Sequence, residues 1–274
     1  MGSNPAYKTL ELEHLISITE SKFFITEAGL LDIVLPAVAA SMPLAKTFVL
    51  GTNSAEGGLN GCRHWSDLLQ HGEKDWLRIN DEATAKSTIA VLQSTSGTTG
   101  LPKVAASSHY ALVASGIAMQ ESSAKPYAVT RLISLPLFHS FGASFVQISA
   151  FHYGETTYIM RRFNAEEFLG ALQHLKISEI AVVPAMLTSI IRQRISPLAL
   201  RTLRRIWCAG TPLSGELRKA TYGLLHQDAI ICQVWGMTEF GRITCSDHGD
   251  RGDDGSVGRL LPNVEARYIS ASKS

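Results

Sequence analysis

Short β-branched apolar runs alternate with longer segments of helical periodicity through most of the 274 residues of this chain, and few architectures accept that pattern. Strands are expected at residues 23–26, 46–50, 89–94, 132–134, 157–160, 180–183, 205–208, 230–233 and 264–269. Helices are expected between them, at 30–41, 165–175, 185–194 and 215–226. Local chemistry supports these starts. Asn164 with Glu167 three residues on reads as a helix cap, and Ser214 can cap the helix after it. Pro184 precedes the helix at 185, where a missing N–H costs nothing. Strand–helix alternation brings successive strands side by side and parallel, with helices covering the faces. The expected fold class is therefore α/β, built from mostly parallel sheets flanked by helices. Neither an internal repeat nor a low-complexity linker divides the chain.

Composition removes several functions. Lys plus Arg number 25 and Asp plus Glu 24, a net charge of +1, so no electrostatic footprint for nucleic acid exists. Hydrophobic residues at 45% with charged residues at 18% supply a buried core rather than a disordered chain. The apolar stretch from Gly29 to Ala45 is interrupted by Asp32, Pro36 and Pro43, which argues against membrane insertion. Met1–Ala6 has no charged-then-apolar leader, and Ala271–Ser274 lacks the final Leu of a peroxisomal Ser-Lys-Leu address. A soluble, cytoplasmic protein is the expectation. The four cysteines, Cys62, Cys208, Cys232 and Cys245, form no Cys-x-x-Cys pair, and those in strand-like runs read as buried thiols.

The chemistry concentrates in Ser94-Thr-Ser-Gly-Thr-Thr-Gly-Leu-Pro-Lys103, which follows an apolar strand and precedes a plausible helix after Ser107. Glycines let backbone N–H groups approach an anion, hydroxyls donate to its oxygens, and a lysine neutralises its charge. A Ser/Thr-rich surface loop is the bland alternative, but the order Gly-Thr-Thr-Gly-x-Pro-Lys is too particular for it. Nor is this a Walker A loop, because Lys103 does not follow a glycine.

This run resembles the phosphate loop of the adenylate-forming (AMP-binding) superfamily, which includes acyl-CoA synthetases, coumarate–CoA ligases, luciferases and peptide-synthetase adenylation domains. The resemblance implies that Thr95, Ser96, Gly97, Thr98, Thr99, Gly100 and Lys103 hold the phosphates of ATP; Val104 departs from the usual glycine. Three further blocks follow in the family's order. Pro136-Leu-Phe-His139 with Gly142 resembles the block whose histidine lines the acyl pocket, a role that an isolated His139 would not suggest. Cys208-Ala-Gly-Thr-Pro-Leu213 is similar to the turn at the adenine site, implicating Gly210, Thr211 and Pro212. Gln233-Val-Trp-Gly-Met-Thr-Glu239 is similar to the family's Gln-Gly-Tyr-Gly-Met-Thr-Glu. By that resemblance Gln233 and Trp235 belong to the nucleotide site, Val234 and Met237 to the acyl pocket, Thr238 to the α-phosphate and Glu239 to Mg²⁺. Gly255-Ser-Val-Gly258 and Asn4-Pro-Ala-Tyr7 resemble family stretches as well.

The expected domain is residues 1–274 as a partial adenylation domain of the coumarate–CoA ligase type. The family's amino-terminal strands, its Tyr-x-Thr-Gly-Asp block and its carboxy-terminal lid with a catalytic lysine have no counterpart in this sequence. The implied activity is conversion of a carboxylic acid to an acyl-adenylate and then a CoA thioester, with ATP, Mg²⁺ and CoA, impaired by the missing parts. The alternative is a non-catalytic relative that binds nucleotide or a partner. No acidic residue in Leu137-Phe-His-Ser-Phe141 could pair an α-ammonium group, so an aryl, cinnamoyl-like or fatty acid is expected. Apolar surface left by the missing strands predicts self-association or a complementing chain.

Overall fold

The computed structural model describes residues 1–51, 60–95, 100–121, 125–193, 200–246, 251 and 255–269. The expected loops at 51–61 and 247–258 fall largely outside the described residues. The chain divides into two compact units, Met1–His109 and Tyr110–Ser274. Sequence offers no linker there, because a strand ends at Ser108 and a helix begins at His109 with nothing between them.

The first unit runs α1 (Thr9–Ile18), β1 (Phe24–Glu27), α2 (Leu31–Ala39), β2 (Thr47–Leu50), β3 (Arg63–His64), α3 (Glu82–Ser87), β4 (Ile89–Thr95) and β5 (Lys103–Ser108). β1, β2 and β3 form a parallel sheet in that order, with Phe24 opposite Thr47 and Phe48 opposite Arg63. Leu12 and Ile16 of α1 pack on Val34, Ala37 and Val38 of α2, positions spaced to share a helical face. β4 and β5 pair antiparallel. No strand is expected at 103–108 from sequence; it forms one because Val104, Ala105 and Ala106 face Ser94, Gln93 and Leu92 in register.

The second unit continues with α4 (His109–Glu121), β6 (Thr130–Ile133), α5 (Ser140–Ala143), a π-helical turn at Ser144–Ser149, and α6 (Ala150–Tyr153). It then runs β7 (Thr156–Ile159), α7 (Ala165–His174), β8 (Glu179–Val182), α8 (Pro184–Arg192), β9 (Arg205–Cys208), α9 (Gly215–Tyr222) and β10 (Ile230–Gln233). Short ladders close the chain: β11 (Gly236–Met237) with β12 (Gly241–Arg242), and β13 (Thr244–Cys245) with β14 (Arg259–Leu260). The caps are those expected. Asn164 Oδ1 accepts from the Glu166 and Glu167 N–H groups, Ser214 Oγ accepts from Leu217 N–H, and Pro184 opens α8.

The main sheet has the order β10-β9-β8-β6-β7, all parallel. Gln233 lies opposite Cys208, Cys208 opposite Val182, and Ile133 opposite both Ala181 and Ile159, so the carboxyl ends are nearly level. One expectation fails. Residues 264–269 form no strand; Tyr268 and Ile269 are exposed, and no strand among the described residues pairs with them. Alternating apolar and polar residues mark a strand only where a neighbouring strand accepts the backbone.

One face of the main sheet carries charge inside the core. Side chains alternate along each strand, so Arg131, Glu179, Arg205, Trp207 and Cys232 share a face. The Glu179 carboxylate accepts from Arg131 (2.9 Å), Trp207 Nε1 (3.0 Å) and Tyr127 O–H (2.9 Å), and pairs with Lys125 (3.0 Å). Arg131 also pairs with Glu155 at 2.8 Å. The guanidinium of Arg242 lies 4.4 Å from the Phe145 ring centroid and 4.6 Å from that of Trp207. Burial would raise the Glu179 carboxyl, but Arg131 and Lys125 overrule it and hold the group at about 2.

Candidate active site

Parallel sheets bind ligands beyond the carboxyl ends of their strands, where successive connections leave in opposite directions. Here β6 is followed by β7 on one side and by β8 on the other, so that point lies between β6 and β8. Three of the blocks singled out in the sequence begin within three residues of these carboxyl ends.

After β6, Ser134–Phe138 leads to His139, which is exposed and caps α5. Its Nδ1 accepts from Phe141 N–H at 3.3 Å, which places the ring proton on Nε2. The glycine three residues on is forced by geometry: a Cβ at Gly142 would sit 2.6 Å from the Pro136 carbonyl oxygen. Behind His139, Phe141 meets the buried Phe145 edge-on at 5.6 Å, and Phe145 lies 5.9 Å from the buried Trp207, so the segment is anchored in an aromatic cluster of the core.

After β9, the chain turns through Gly210 at φ +96°, a left-handed conformation that favours glycine. Thr211 and Pro212 are exposed, while Leu213 is buried and anchors the turn.

After β10, Gln233 and Val234 are buried, and Val234 N–H donates to Cys208 C=O at 2.7 Å. The Trp235 carbonyl accepts from Ile243 and Thr244 N–H, and its own N–H donates to Thr244 Oγ1 at 3.3 Å. With its backbone held this way the Trp235 side chain is still 49% exposed. β11 and β12 then form a tight hairpin in which Phe240 N–H donates to Met237 C=O at 3.2 Å. Thr238 and Glu239 occupy its tip. Gly236 is required because a Cβ there would lie 2.5 Å from the Gly241 carbonyl oxygen. Among the described residues the Glu239 carboxylate accepts no hydrogen bond and forms no ion pair.

In the first unit, Thr95 ends β4 and Lys103 begins β5, directly opposite one another. They form the mouth of a hairpin loop from which Lys103 is exposed and Gly100 turns at φ +151°. Ser96, Gly97, Thr98 and Thr99 lie outside the described residues. The valine at 104 now has a reason: it is a strand residue facing Ser94, where β-branching is favourable. Sequence reasoning missed Thr244. It is buried, receives Trp235 N–H, and donates to Val257 C=O at 2.5 Å, joining the Trp235 turn to the Gly255–Gly258 block. A lone threonine carries no signal of such a role.

The sequence matches the family described as AMP-binding enzyme over residues 1–273. The chain belongs to that family. Its relatives include phenylacetyl-CoA ligase epaB of Aspergillus niger, 34% identical over 98% of this chain and 51% of that protein. Nicotinic acid-CoA ligase pyr1 of Aspergillus fumigatus is 39% identical over 76% of this chain and 36% of its own length. The chain thus spans about half the length of curated relatives that it matches nearly throughout. Among solved structures, a long-chain-fatty-acid-CoA ligase from Archaeoglobus fulgidus superposes with TM-score 0.82 at 21% identity, covering 99% of this chain and 54% of that one. O-succinylbenzoate Coenzyme A Synthetase from Bacillus subtilis, in complex with ATP and magnesium ion, gives TM-score 0.70 at 21% identity over 93% and 48%. These likenesses establish the fold. Among the described residues no helix is long and apolar enough to cross a membrane.

Proposed function

We propose that this AMP-binding family chain serves in ATP-dependent activation of a small carboxylic acid and its ligation to CoA. A carboxylate oxygen attacks the α-phosphorus of ATP, pyrophosphate leaves, and the acyl-adenylate forms. The CoA thiol then attacks the acyl carbon, giving a thioester and releasing AMP. The observation that carries this reading is the placement of the His139, Gly210–Pro212 and Gln233–Glu239 blocks beyond the carboxyl ends of β6, β9 and β10 of one parallel sheet. Relatives named as acyl-CoA ligases support the same activity.

Each residue has a chemical role in this reading. Lys103 and the loop Thr95–Gly100 bind the β- and γ-phosphates through cation, hydroxyls and backbone N–H groups. Trp235 offers its exposed face to the adenine, beside the Gly210, Thr211 and Pro212 turn and Gln233. Thr238 donates its hydroxyl to the α-phosphate. Glu239 fits magnesium: its carboxylate is unengaged among the described residues, and no cluster of three ligating side chains exists there to make an all-protein cage. A hard cation bound by one carboxylate, with substrate phosphate oxygens and water, needs no more. When bound, the ion offsets phosphate charge. His139, Val234 and Met237 shape the acid site, and the run 137–141 has no carboxylate to pair an α-ammonium group, which suits an aryl acid. Two relatives are named for aryl acids, phenylacetate and nicotinate.

Pyrophosphate release with a panel of phenylacetate, cinnamate, nicotinate and medium-chain fatty acids tests the reading. Acid-dependent release, lost in Lys103→Ala and Glu239→Ala, is expected. Acid-independent phosphate release, or none with any acid, contradicts it.

A further inference from the structure

Two buried thiols bracket the Gln233–Glu239 segment. Cys232 is the third residue of β10 and Cys245 the second of β13, and their sulfurs lie 3.9 Å apart. Their exposures are 0% and 3%. Cys208 is not an equal partner. It lies opposite Gln233 on the neighbouring strand, so its side chain projects from the opposite face of the sheet to that of Cys232.

The surroundings single out Cys232 as the nucleophile. Its sulfur receives the Ser246 N–H at 3.2 Å and faces the Cys245 thiol. On the same face lies Arg205, fully buried, whose Nε, Nη1 and Nη2 have no hydrogen-bond partner among the described residues. That guanidinium stacks on Trp207 at 4.8 Å and leaves positive charge in the core that a thiolate offsets. The hydrogen bond from Cys245, then Ser246 N–H and Arg205, together overcome burial and lower the Cys232 thiol below its usual range. Cys245 is held protonated by the same contact.

We propose that Cys232 and Cys245 form an oxidisable dithiol that hydroperoxides convert to a disulfide, tying together the two ends of the segment that carries Thr238 and Glu239. The Cys232 thiolate attacks one peroxide oxygen, the O–O bond breaks, and the departing oxygen takes up a proton. For hydrogen peroxide that product is water. The Cys245 sulfur then displaces the sulfenic hydroxyl, which leaves as a second water with the Cys245 proton. Two thiols lose two electrons and the peroxide gains them. Closing from 3.9 Å to a bond of about 2 Å brings the two sulfurs about 2 Å nearer, and β13, which carries Cys245, pairs with β14 through a two-residue ladder. The same short ladder provides the local opening through which peroxide arrives. This inference stands apart from the ligase reading, since it concerns thiol chemistry alone.

The test needs no activity. The reduced chain is exposed to hydrogen peroxide, quenched, alkylated under denaturing conditions and digested without reductant for mass spectrometry. The expected result is one cross-linked peptide pair joining Cys232 to Cys245, with Cys62 and Cys208 still alkylated. The cross-link persists in Cys208→Ser, and Cys245→Ser instead accumulates a dimedone adduct at Cys232. In the oxidised chain, amide exchange in the 236–242 hairpin slows. Alkylation of all four thiols after exposure, a Cys232–Cys208 cross-link, or oxidation confined to Cys62 or Cys208 would overturn the proposal.

Discussion

Three glycines explain much of the motif spacing. Gly142, Gly236 and Gly258 each press against backbone: the Pro136 carbonyl, the Gly241 carbonyl and the Cys245–Ser246 peptide. Gly258 also sits at φ +91°. Alanine at any of these positions forces strands or turns apart, at a cost of about 1–3 kcal/mol. Gly236→Ala and Gly258→Ala should each lower Tm in a thermal melt. Gly170, inside α7, provides the contrast, because a β-carbon there would meet nothing within 4 Å. Gly170→Ala should leave Tm unchanged or raise it, by the roughly 0.5–1 kcal/mol that alanine gains over glycine in a helix. A loss at Gly170 equal to those at Gly236 and Gly258 would show that backbone approach does not explain the spacing.

The strands of the main sheet are held by more than apolar burial. Glu179 at the start of β8 gathers Arg131, Lys125, Tyr127 and Trp207 from other segments, so removing its charge takes from the buried Arg131 one of its two carboxylate partners and leaves it Glu155. Glu179→Gln is expected to cost about 3–5 kcal/mol in denaturant unfolding. The pH dependence has a definite sign. The folded carboxyl titrates at about 2, below its unfolded value near 4.5. Its contribution is therefore complete above pH 4.5 and disappears as pH falls towards 2. The wild-type Tm should drop across that window more steeply than that of Glu179→Gln; parallel curves would remove Glu179 from the account. Elements were legible in sequence where local chemistry decides them: Asn164, Pro184 and Ser214 start their helices where expected, and 205–208 and 230–233 are strands. The charged face was not legible, because Arg131 and Glu179 are distant in sequence and only the parallel register makes them neighbours. The failed strand at 264–269 has the same origin, since its pattern was right and its partner was missing among the described residues.

At the scale of the molecule, the blocks that begin at Pro136, Cys208 and Gln233 follow strands of the main sheet, where short-range geometry dictates residue type. What they could not convey was the hairpin that faces Thr95 with Lys103, or the role of Thr244 in holding Trp235, since both depend on pairing across the chain. Nor did composition mark the division at His109, where strand passes directly into helix. The proposal that matters most is that Lys103 binds nucleotide phosphate and that Glu239 binds the magnesium ion. Titration calorimetry with Mg·ATP measures it most directly, using the wild-type chain, Lys103→Ala and Glu239→Ala. A single nucleotide per chain is expected, bound at least about tenfold more weakly by each variant, a loss of about 1.4 kcal/mol. Binding that neither substitution weakens, or no binding by the wild-type chain, would contradict it.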